Sequence, residues 1–178
     1  KINNNKPDII LFGGDVFDKP SKYPIDEKIE NEIIELLQSL HAEYGKFAVL
    51  GEEDYDPQVN DIHQILFKGD FEVLTNKHIF ITKDGKNMIN LIGIDSLVGG
   101  NPDIESSFAN VDTSLFTIVL THAPDIISQL PTNEIDLVLA GHSHGGQINI
   151  PFIGSLNKVE GAKTYSQGDY YINQTQLI

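Results

Sequence analysis

The chain has 178 residues, which is enough for one domain to form a core without cross-links. It contains no cysteine, so disulfides and thiolate metal sites are excluded, and any metal must bind imidazole, carboxylate, amide or water ligands. The 26 acidic residues outnumber the 12 basic ones, and the formal charge of −14 argues against a nucleic-acid partner or direct binding to anionic lipid.

All 12 basic residues are lysines. Without arginine, the chain lacks the planar guanidinium that binds phosphate through two parallel hydrogen bonds. A protein of this composition that acts on phosphate therefore needs lysine or a metal ion to neutralise the phosphate charge. The apolar runs are much shorter than a membrane span, so membrane association would have to come from residues outside this chain.

The first part of the chain is typical of a strand, a crossover helix and a second strand. The apolar runs 8–12 and 47–50 are predicted as strands, and each is followed at once by glycine and acidic residues. Between them, apolar residues recur with helical spacing over 25–40, which predicts an amphipathic helix. A shorter helix is predicted over residues 58–67, after Pro57.

The second part adds strands separated by short loops. The runs 79–82 and 88–94 flank Asp84-Gly85, a dipeptide typical of a tight hairpin turn, so these strands are predicted to be antiparallel. No repeat or linker interrupts the chain, and residues 1–178 are predicted to form one α/β domain. A short helix is expected before Pro131, and further strands are predicted over 116–120, 136–140 and 147–150.

Acidic residues and histidines stand at the ends of four predicted strands. Any one of them has an ordinary explanation, since aspartate is common in turns and a lone histidine is more often structural than a ligand. Together, at one edge of one sheet, they would create dense charge that is costly unless a cation organises it. In chain order these residues are Asp15 and Asp18; Glu52, Glu53 and Asp54; His122; and His142 and His144.

Four short blocks give the chain a resemblance to the calcineurin-like metallophosphoesterases, and in particular to a bacterial YkuE-like branch of that family. The blocks lie at 14–18 (Gly-Asp-Val-Phe-Asp), 51–54 (Gly-Glu-Glu-Asp), 121–124 (Thr-His-Ala-Pro) and 141–144 (Gly-His-Ser-His). They are similar to the family's Gly-Asp-x-x-Asp, Gly-Asn-His-Asp/Glu, Gly/Thr-His and Gly-His-x-His blocks. The resemblance implies a single-domain α/β fold, a β-sheet sandwich flanked by helices in four αββα layers, with the N-terminal strand missing.

The same resemblance implies a divalent metal cofactor, one or two ions of Mn, Fe, Zn or Co, at the sheet edge. Asp15 would bridge the two metals. One metal would also take Glu52, His122 and His142, and the other would take His144 and an Asp-x-His pair from a first strand.

Two catalytic roles and two supporting roles follow from the resemblance. In the family, water activated by the metals attacks phosphorus in line, so Asp15 is expected to serve catalysis through the metals. The residue at the position of Glu53 assists the leaving group. Asp18 and Asp54 are expected to support the ligands from behind without touching a metal. Asp125, after Pro124, is interpreted as a first-turn helix residue without a catalytic role.

The chain departs from the family pattern in two ways. No strand before residue 8 can carry the Asp-x-His pair, and the chain is therefore expected to be a fragment trimmed at both ends. The only Asp-x-His, at 61–63, falls in a helical stretch where residues two apart point away from each other, so it is interpreted as unrelated. Glu52-Glu53 replaces Asn-His, which adds negative charge, lowers the Lewis acidity of a bound metal and repels phosphate.

The leading hypothesis is a metal-dependent phosphoesterase that hydrolyses a phosphomonoester, phosphodiester or pyrophosphate bond in a phosphorylated small-molecule or lipid-linked substrate, with residues 96–114 contributing to specificity. One alternative is a catalytically impaired member that binds a metal or an anionic ligand and acts through a partner. Another is a structural domain without a metal. Both a cytoplasmic location and one at a bacterial membrane surface stay open.

Overall fold

The computed structural model describes residues 1–59, 61–146, 149–150, 154–155 and 159–178. None of the helices in these ranges has the length and apolar character that crossing a membrane requires. The α-helices are α1 (Glu27–Gln38), α2 (Ile62–Lys68) and α3 (Ile104–Phe108). Short 3-10 helices cover Asn3–Asn5, Glu53–Tyr55, Pro124–Gln129 and His144–Gly146. The strands are β1 (Ile10–Phe12), β2 (Lys46–Ala48), β3 (Glu72–Val73), β4 (Lys77–Thr82), β5 (Met88–Gly93), β6 (Thr117–Leu120), β7 (Leu137–Leu139), β8 (Asn149–Ile150), β9 (Gly154–Ser155), β10 (Tyr170–Ile172) and β11 (Thr175–Leu177).

The strands form two large sheets, which corrects the expectation that all site residues follow strands of one sheet. A three-stranded parallel sheet has the order β1-β2-β3, and a six-stranded mixed sheet has the order β10-β11-β7-β6-β5-β4. A separate antiparallel pair joins β8 and β9. The predicted carboxylate and histidine positions therefore lie on different sheets, the carboxylates after β1 and β2 and the histidines after β6 and β7.

Period-two alternation explains why the two sheets stack. In β1, Ile10 and Phe12 pack with the α1 and α2 side chains, whereas Leu11 packs into the core between the sheets. In β6, Ile118 joins the same core, whereas Val119 faces a third cluster that includes residues of α3 and of the 3-10 helix after β6. Strands of each sheet thus pack on both faces, and the four-layer αββα arrangement is confirmed.

The first layer is held by an amphipathic helix and a buried lysine. Asp26 caps α1 by accepting a hydrogen bond from the backbone of Ile29 at 2.9 Å, which starts the helix two residues later than the apolar pattern suggests. Lys46, buried in β2, donates to the carbonyls of Leu37 at 2.8 Å and Gly69 at 2.9 Å. It therefore joins the carboxyl ends of α1 and α2 and positions β2 beneath them.

The predicted helices and strands are confirmed to within a few residues, and several short elements were missed. The hairpin at Asp84-Gly85 pairs β4 with β5 in antiparallel register, as predicted. In the predicted strand 147–150, Asn149–Ile150 is a strand, and residues 147 and 148 lie outside the described residues. The α-helix and the strands without a prediction are α3, β3, β9, β10 and β11, and three of the four described 3-10 helices were not predicted either.

Candidate metal centre

The candidate centre lies where the carboxyl ends of strands from both sheets meet. Asp15 follows β1, His122 follows β6 and His142 follows β7. Each of the three offers one ligand atom, and these atoms all lie within 4.8 Å of one another. The crevice beyond the carboxyl ends of parallel strands is a common ligand site in α/β proteins. Here two sheets, rather than one, contribute to it.

The spacing of the three ligand atoms fits one metal ion. Asp15 Oδ2 lies 3.1 Å from His122 Nε2. His122 Nε2 in turn lies 3.1 Å from His142 Nδ1. Ligands bound at about 2.1 Å to a common ion stand roughly 3.0–3.4 Å apart in octahedral or tetrahedral geometry. Both of these separations match neighbouring ligands of one ion, and all three ligand atoms lie within 4.8 Å of one another.

Backbone carbonyls fix which nitrogen of each ring faces the centre. His122 Nδ1 lies 2.6 Å from the carbonyl oxygen of Gly13, and His142 Nε2 lies 2.5 Å from that of Glu160. A carbonyl only accepts, so both of these nitrogens carry hydrogens. When both rings are neutral, the opposite nitrogens face each other and the Asp15 carboxylate as acceptors. Acceptors at such distances repel unless a proton or a cation lies between them, and the donor set therefore fits a divalent metal.

The Asp15 turn is held by one buried carboxylate. Asp15 has a left-handed backbone with φ 58°, which costs energy for a residue other than glycine. Asp54 accepts hydrogen bonds from the backbone N–H groups of Asp15 at 2.8 Å, Val16 at 2.8 Å and Gly51 at 2.9 Å. Glu53 donates its own N–H to Asp15 Oδ1 at 3.0 Å. Asp15 therefore turns one oxygen to this loop and the other to His122.

A cavity of ≈ 320 Å³ opens beside the centre. Acidic side chains predominate in its wall, and the described residues of the wall include one lysine. A cavity of this size has room for a phosphoryl group and part of what it is attached to. The wall consists of Asp15, Asp18, Lys19, Glu52, Glu53, His142, Ser143, His144 and Val159.

The remaining predicted site residues lie around the three ligand atoms. Glu52 Oε2 lies 3.7 Å from His142 Nε2, the nitrogen that faces away from His122. His144, with φ 48°, lines the cavity but lies outside the group of three ligand atoms. The Asp18 carboxylate is largely exposed and lies 3.8 Å from the Lys19 ammonium. The roles predicted for Glu52, His144 and Asp18, like those of the other site residues, stay predictions.

Burial and neighbouring charges both shift the pKa values of the ionisable groups at the centre, and for Asp15 and His122 they act in opposite directions. Burial alone would raise the pKa of Asp15, but the hydrogen bond and charge of His122 outweigh it and hold that pKa below its ordinary value. Burial alone would lower the pKa of His122, yet the Asp15 carboxylate and the Gly13 carbonyl raise it. Burial, followed by the negative charge of Asp15, raises the pKa of Glu53, and burial also raises that of Asp54.

Several groups that shape the centre were missed by sequence analysis. The carbonyls of Gly13 and Glu160 orient the two rings, and a backbone carbonyl leaves no signature in the residue type. Asp95, buried after β5, accepts hydrogen bonds from the Tyr55 hydroxyl and from Asn101 N, the latter at 2.8 Å. This contact ties the acidic turn to the loop after β5, within the segment 96–114 that was expected to influence specificity.

Asp125 does more than the sequence indicated. It lies in the first turn of the 3-10 helix Pro124–Gln129, as predicted. However, its carboxylate accepts backbone hydrogen bonds from Lys163 at 2.7 Å, Thr164 at 3.1 Å and Tyr165 at 3.2 Å. It therefore anchors a distant loop rather than interacting only with its own helix.

The Asp-x-His at 61–63 lies apart from the centre. Asp61 caps α2 by accepting from the backbone of Gln64 at 3.3 Å, and His63 lies within α2. Both line a separate open cavity on the side of the three-stranded sheet. The interpretation that this pair is unrelated to the centre agrees with its placement.

The chain is similar to known proteins both at the level of a family and at the level of individual relatives. The family model for calcineurin-like phosphoesterase matches residues 1–146. Metallophosphoesterase YkuE of Bacillus subtilis is 33% identical over 177 residues, which cover 99% of this chain and 60% of YkuE. Metallophosphoesterase YkoQ of the same organism is 30% identical, over 94% of this chain and 64% of YkoQ.

A relative with a more specific name is UDP-2,3-diacylglucosamine pyrophosphatase LpxG of Chlamydia muridarum. It is 26% identical over 89% of this chain and 60% of LpxG. The chain thus spans between 60% and 64% of the length of these three relatives. The family match covers β1, β6 and β7 and the residues Asp15, His122 and His142 that follow them, and the chain belongs to the calcineurin-like phosphoesterase family.

Proposed function

We propose that the protein carrying this chain is a metal-dependent phosphoesterase that hydrolyses a phosphomonoester, phosphodiester or pyrophosphate bond. The observation that carries the proposal is the close approach of three acceptor atoms, which repel one another unless a proton or a cation lies between them. These atoms are Asp15 Oδ2, His122 Nε2 and His142 Nδ1. Membership of the calcineurin-like phosphoesterase family supports the same activity.

Asp15, His122 and His142 would hold the metal, and Glu52 and His144 stand at the cavity wall to complete its coordination. Carboxylate and imidazole ligands suit Mn, Fe, Zn or Co. A divalent metal bound here supplies Lewis acidity toward the phosphoryl oxygens and lowers the pKa of a water molecule.

The chain's own residues would orient the substrate. Lys19 brings a positive charge to the cavity wall, and Gly145 and Gly146, with φ 61° and 71°, form a tight turn after β7. The carboxylates of Glu52 and Glu53 face the same cavity and would repel a phosphate unless a cation balances them. Substrate binding is therefore expected to depend on the metal.

The substrate class that we propose is a phosphorylated small molecule or lipid-linked compound. The name of LpxG, a UDP-2,3-diacylglucosamine pyrophosphatase, supports a lipid-linked pyrophosphate among the candidates. The net charge of −14 and the absence of arginine argue against nucleic acid.

A second candidate function is a catalytically weak family member that binds a metal or an anionic ligand and acts through a partner. The carboxylates of Glu52 and Glu53 favour it, because they line the cavity where the family carries Asn-His. A carboxylate ligand reduces the Lewis acidity of its metal, and it adds charge that repels phosphate.

The test combines metal analysis with turnover of p-nitrophenyl phosphate and bis(p-nitrophenyl) phosphate by the full-length protein. We expect at least one metal equivalent in the wild type, and a loss of metal affinity and turnover by about 100-fold or more in Asp15→Asn. Asp103→Asn is the matched control, since Asp103 caps α3 away from the centre and asparagine caps equally well.

The Glu52→Asn/Glu53→His double variant separates the two candidate functions. A large gain in turnover, with unchanged metal content, would favour the weak-catalyst candidate for the natural chain. Comparable turnover in both proteins would favour the active phosphoesterase. A wild type without bound metal, or an Asp15→Asn variant as active as wild type, would contradict the proposed function.

A further inference from the structure

The orientation of His142 depends on a residue that lies 18 positions away. His142 Nε2 donates to the carbonyl oxygen of Glu160 at 2.5 Å, which leaves Nδ1 facing His122 at 3.1 Å. His142 itself has a left-handed backbone with φ 62°, so its own turn is strained. The Glu160 carbonyl therefore has to be held in place by other contacts.

Glu160 lies in a tight turn pressed against the loop after β6. The N–H of Ala162 donates to the carbonyl of Val159 at 3.2 Å, which closes the turn, and Gly161 has φ +81°. A Cβ at Gly161 would stand 2.9 Å from Ala123 Cβ and 3.1 Å from Val98 Cγ2. The turn thus fits its neighbours too closely to move toward them.

Asp125 fastens this turn to the same loop that carries His122. Its backbone N–H donates to the Gly161 carbonyl at 2.9 Å. Its carboxylate accepts from three consecutive N–H groups, those of Lys163, Thr164 and Tyr165. One residue therefore holds both ends of the segment that follows Glu160, through four backbone groups.

We propose that Asp125 is a positioning residue for His142, acting through the Glu160 carbonyl. It fixes the place of that carbonyl, which selects the Nε2–H form of the ring and presents Nδ1 to the centre. The consequence, a His142 Nδ1 oriented to bind a metal, rests on the proposed function. Which ring nitrogen of His142 carries the hydrogen can be measured without metal.

The experiment reads the His142 ring nitrogens by long-range ¹H–¹⁵N NMR in the metal-free, full-length protein, near pH 9, where imidazoles are neutral. We expect the Nε2–H form in wild type and a mixture of the two neutral forms in Asp125→Ala. Asp125→Asn, which keeps one accepting oxygen, should give an intermediate mixture. Titration with Co²⁺ should show affinity reduced by about 10-fold in Asp125→Ala, with an altered visible spectrum.

Asp84→Ala is the matched control, since Asp84 also accepts from two neighbouring backbone N–H groups, those of Lys86 and Asn87, but in the distant β4–β5 hairpin. It should change neither the ring form nor the affinity. An Nε2–H ring in both Asp125 variants, or equal effects of Asp84→Ala, would overturn the proposal. Absence of Co²⁺ binding by wild type would instead contradict the proposed function, while the ring measurement would still decide the role of Asp125.

Discussion

The two halves of the candidate centre are held in opposite ways. The carboxylate half, Asp15 with Glu52, Glu53 and Asp54, is organised by a side chain, because the Asp54 carboxylate gathers backbone N–H groups. In the imidazole half, His122 and His142, backbone carbonyls accept from the side-chain rings. In the carboxylate half, a side chain accepts from backbone N–H groups, whereas in the imidazole half, side chains donate to backbone carbonyls. In both halves, the atoms that face the other half are acceptors.

The two halves also differ in charge. Carboxylates accumulate on the side of the three-stranded sheet, where the negative charge of Asp15 helps to raise the pKa of Glu53. Two described ion pairs join the sides directly, Asp15 with His122 at 3.1 Å and Glu52 with His142 at 3.7 Å, and the two rings face a larger number of carboxylates. A cation between the halves would stabilise both.

The strongest way to break the carboxylate half is Asp54→Ala. It removes the acceptor of three backbone N–H groups, and we expect the free energy of unfolding to fall by about 3 kcal/mol, with metal binding lost. Denaturant unfolding and metal titration measure the two effects. Asp56→Ala is the control, since Asp56 lies on the same turn but is only partly buried, and its loss should cost less than about 1 kcal/mol. Equal losses in both variants would contradict the role given to Asp54.

A matched pair of glycines tests how closely the Asp15 turn must fit. A Cβ at Gly51 would stand 2.1 Å from Asp15 Oδ1 and 2.7 Å from Asp15 N, whereas a Cβ at Gly13 meets nothing within 4 Å. We expect Gly51→Ala to cost about 1–3 kcal/mol and to displace the carboxylate from the metal. Gly13→Ala should change stability by less than about 1 kcal/mol. Similar melting temperatures and metal affinities for the two variants would refute the close fit.

The smallest expected effect is a pH dependence of stability that comes from the negative charge of the carboxylate half. Because folding raises the pKa of Glu53 above its ordinary value of 4.5, the folded protein binds this proton more tightly than the unfolded chain. The contribution of Glu53 to the stability of the metal-free wild type should therefore fall as pH rises from below 4.5 through the folded pKa. Glu53→Gln lacks this loss, so its melting temperature relative to wild type should be higher at about pH 7 than at about pH 4.

Glu134→Gln serves as the control, because Glu134 is exposed and distant from the centre. It should show no such pH-dependent difference. Adding a divalent metal should shrink the advantage of Glu53→Gln. An advantage that is the same at both pH values, or that grows with metal, would mean that repulsion within the carboxylate half is negligible.

The sequence predicted the elements of the fold better than their assembly. Helical spacing and the Asp84-Gly85 turn found α1 and the β4–β5 hairpin. Adjacent apolar residues such as Leu11 and Phe12 also indicated a strand that is buried on both faces. This pattern does not show to which sheet the strand belongs. The division into two sheets depends on pairing between distant strands, and β3 has two residues, too few for a pattern.

The site could be predicted only where side chains act. Asp15, His122 and His142 were named from their places after strands, and the structure brings them together. The carbonyl of Glu160 acts through backbone atoms, which any residue type supplies. Asp125 binds a loop about 40 residues away, and nothing in its local sequence distinguishes that contact from an ordinary first-turn aspartate.

The most direct test of the account is anomalous diffraction from crystals of the protein grown with Mn²⁺. We predict an ion between the two halves, within about 2.0–2.3 Å of Asp15 Oδ2, His122 Nε2 and His142 Nδ1. A Mn²⁺ ion bound elsewhere, or the three side chains grouped as here around no ion at saturating Mn²⁺, would contradict it.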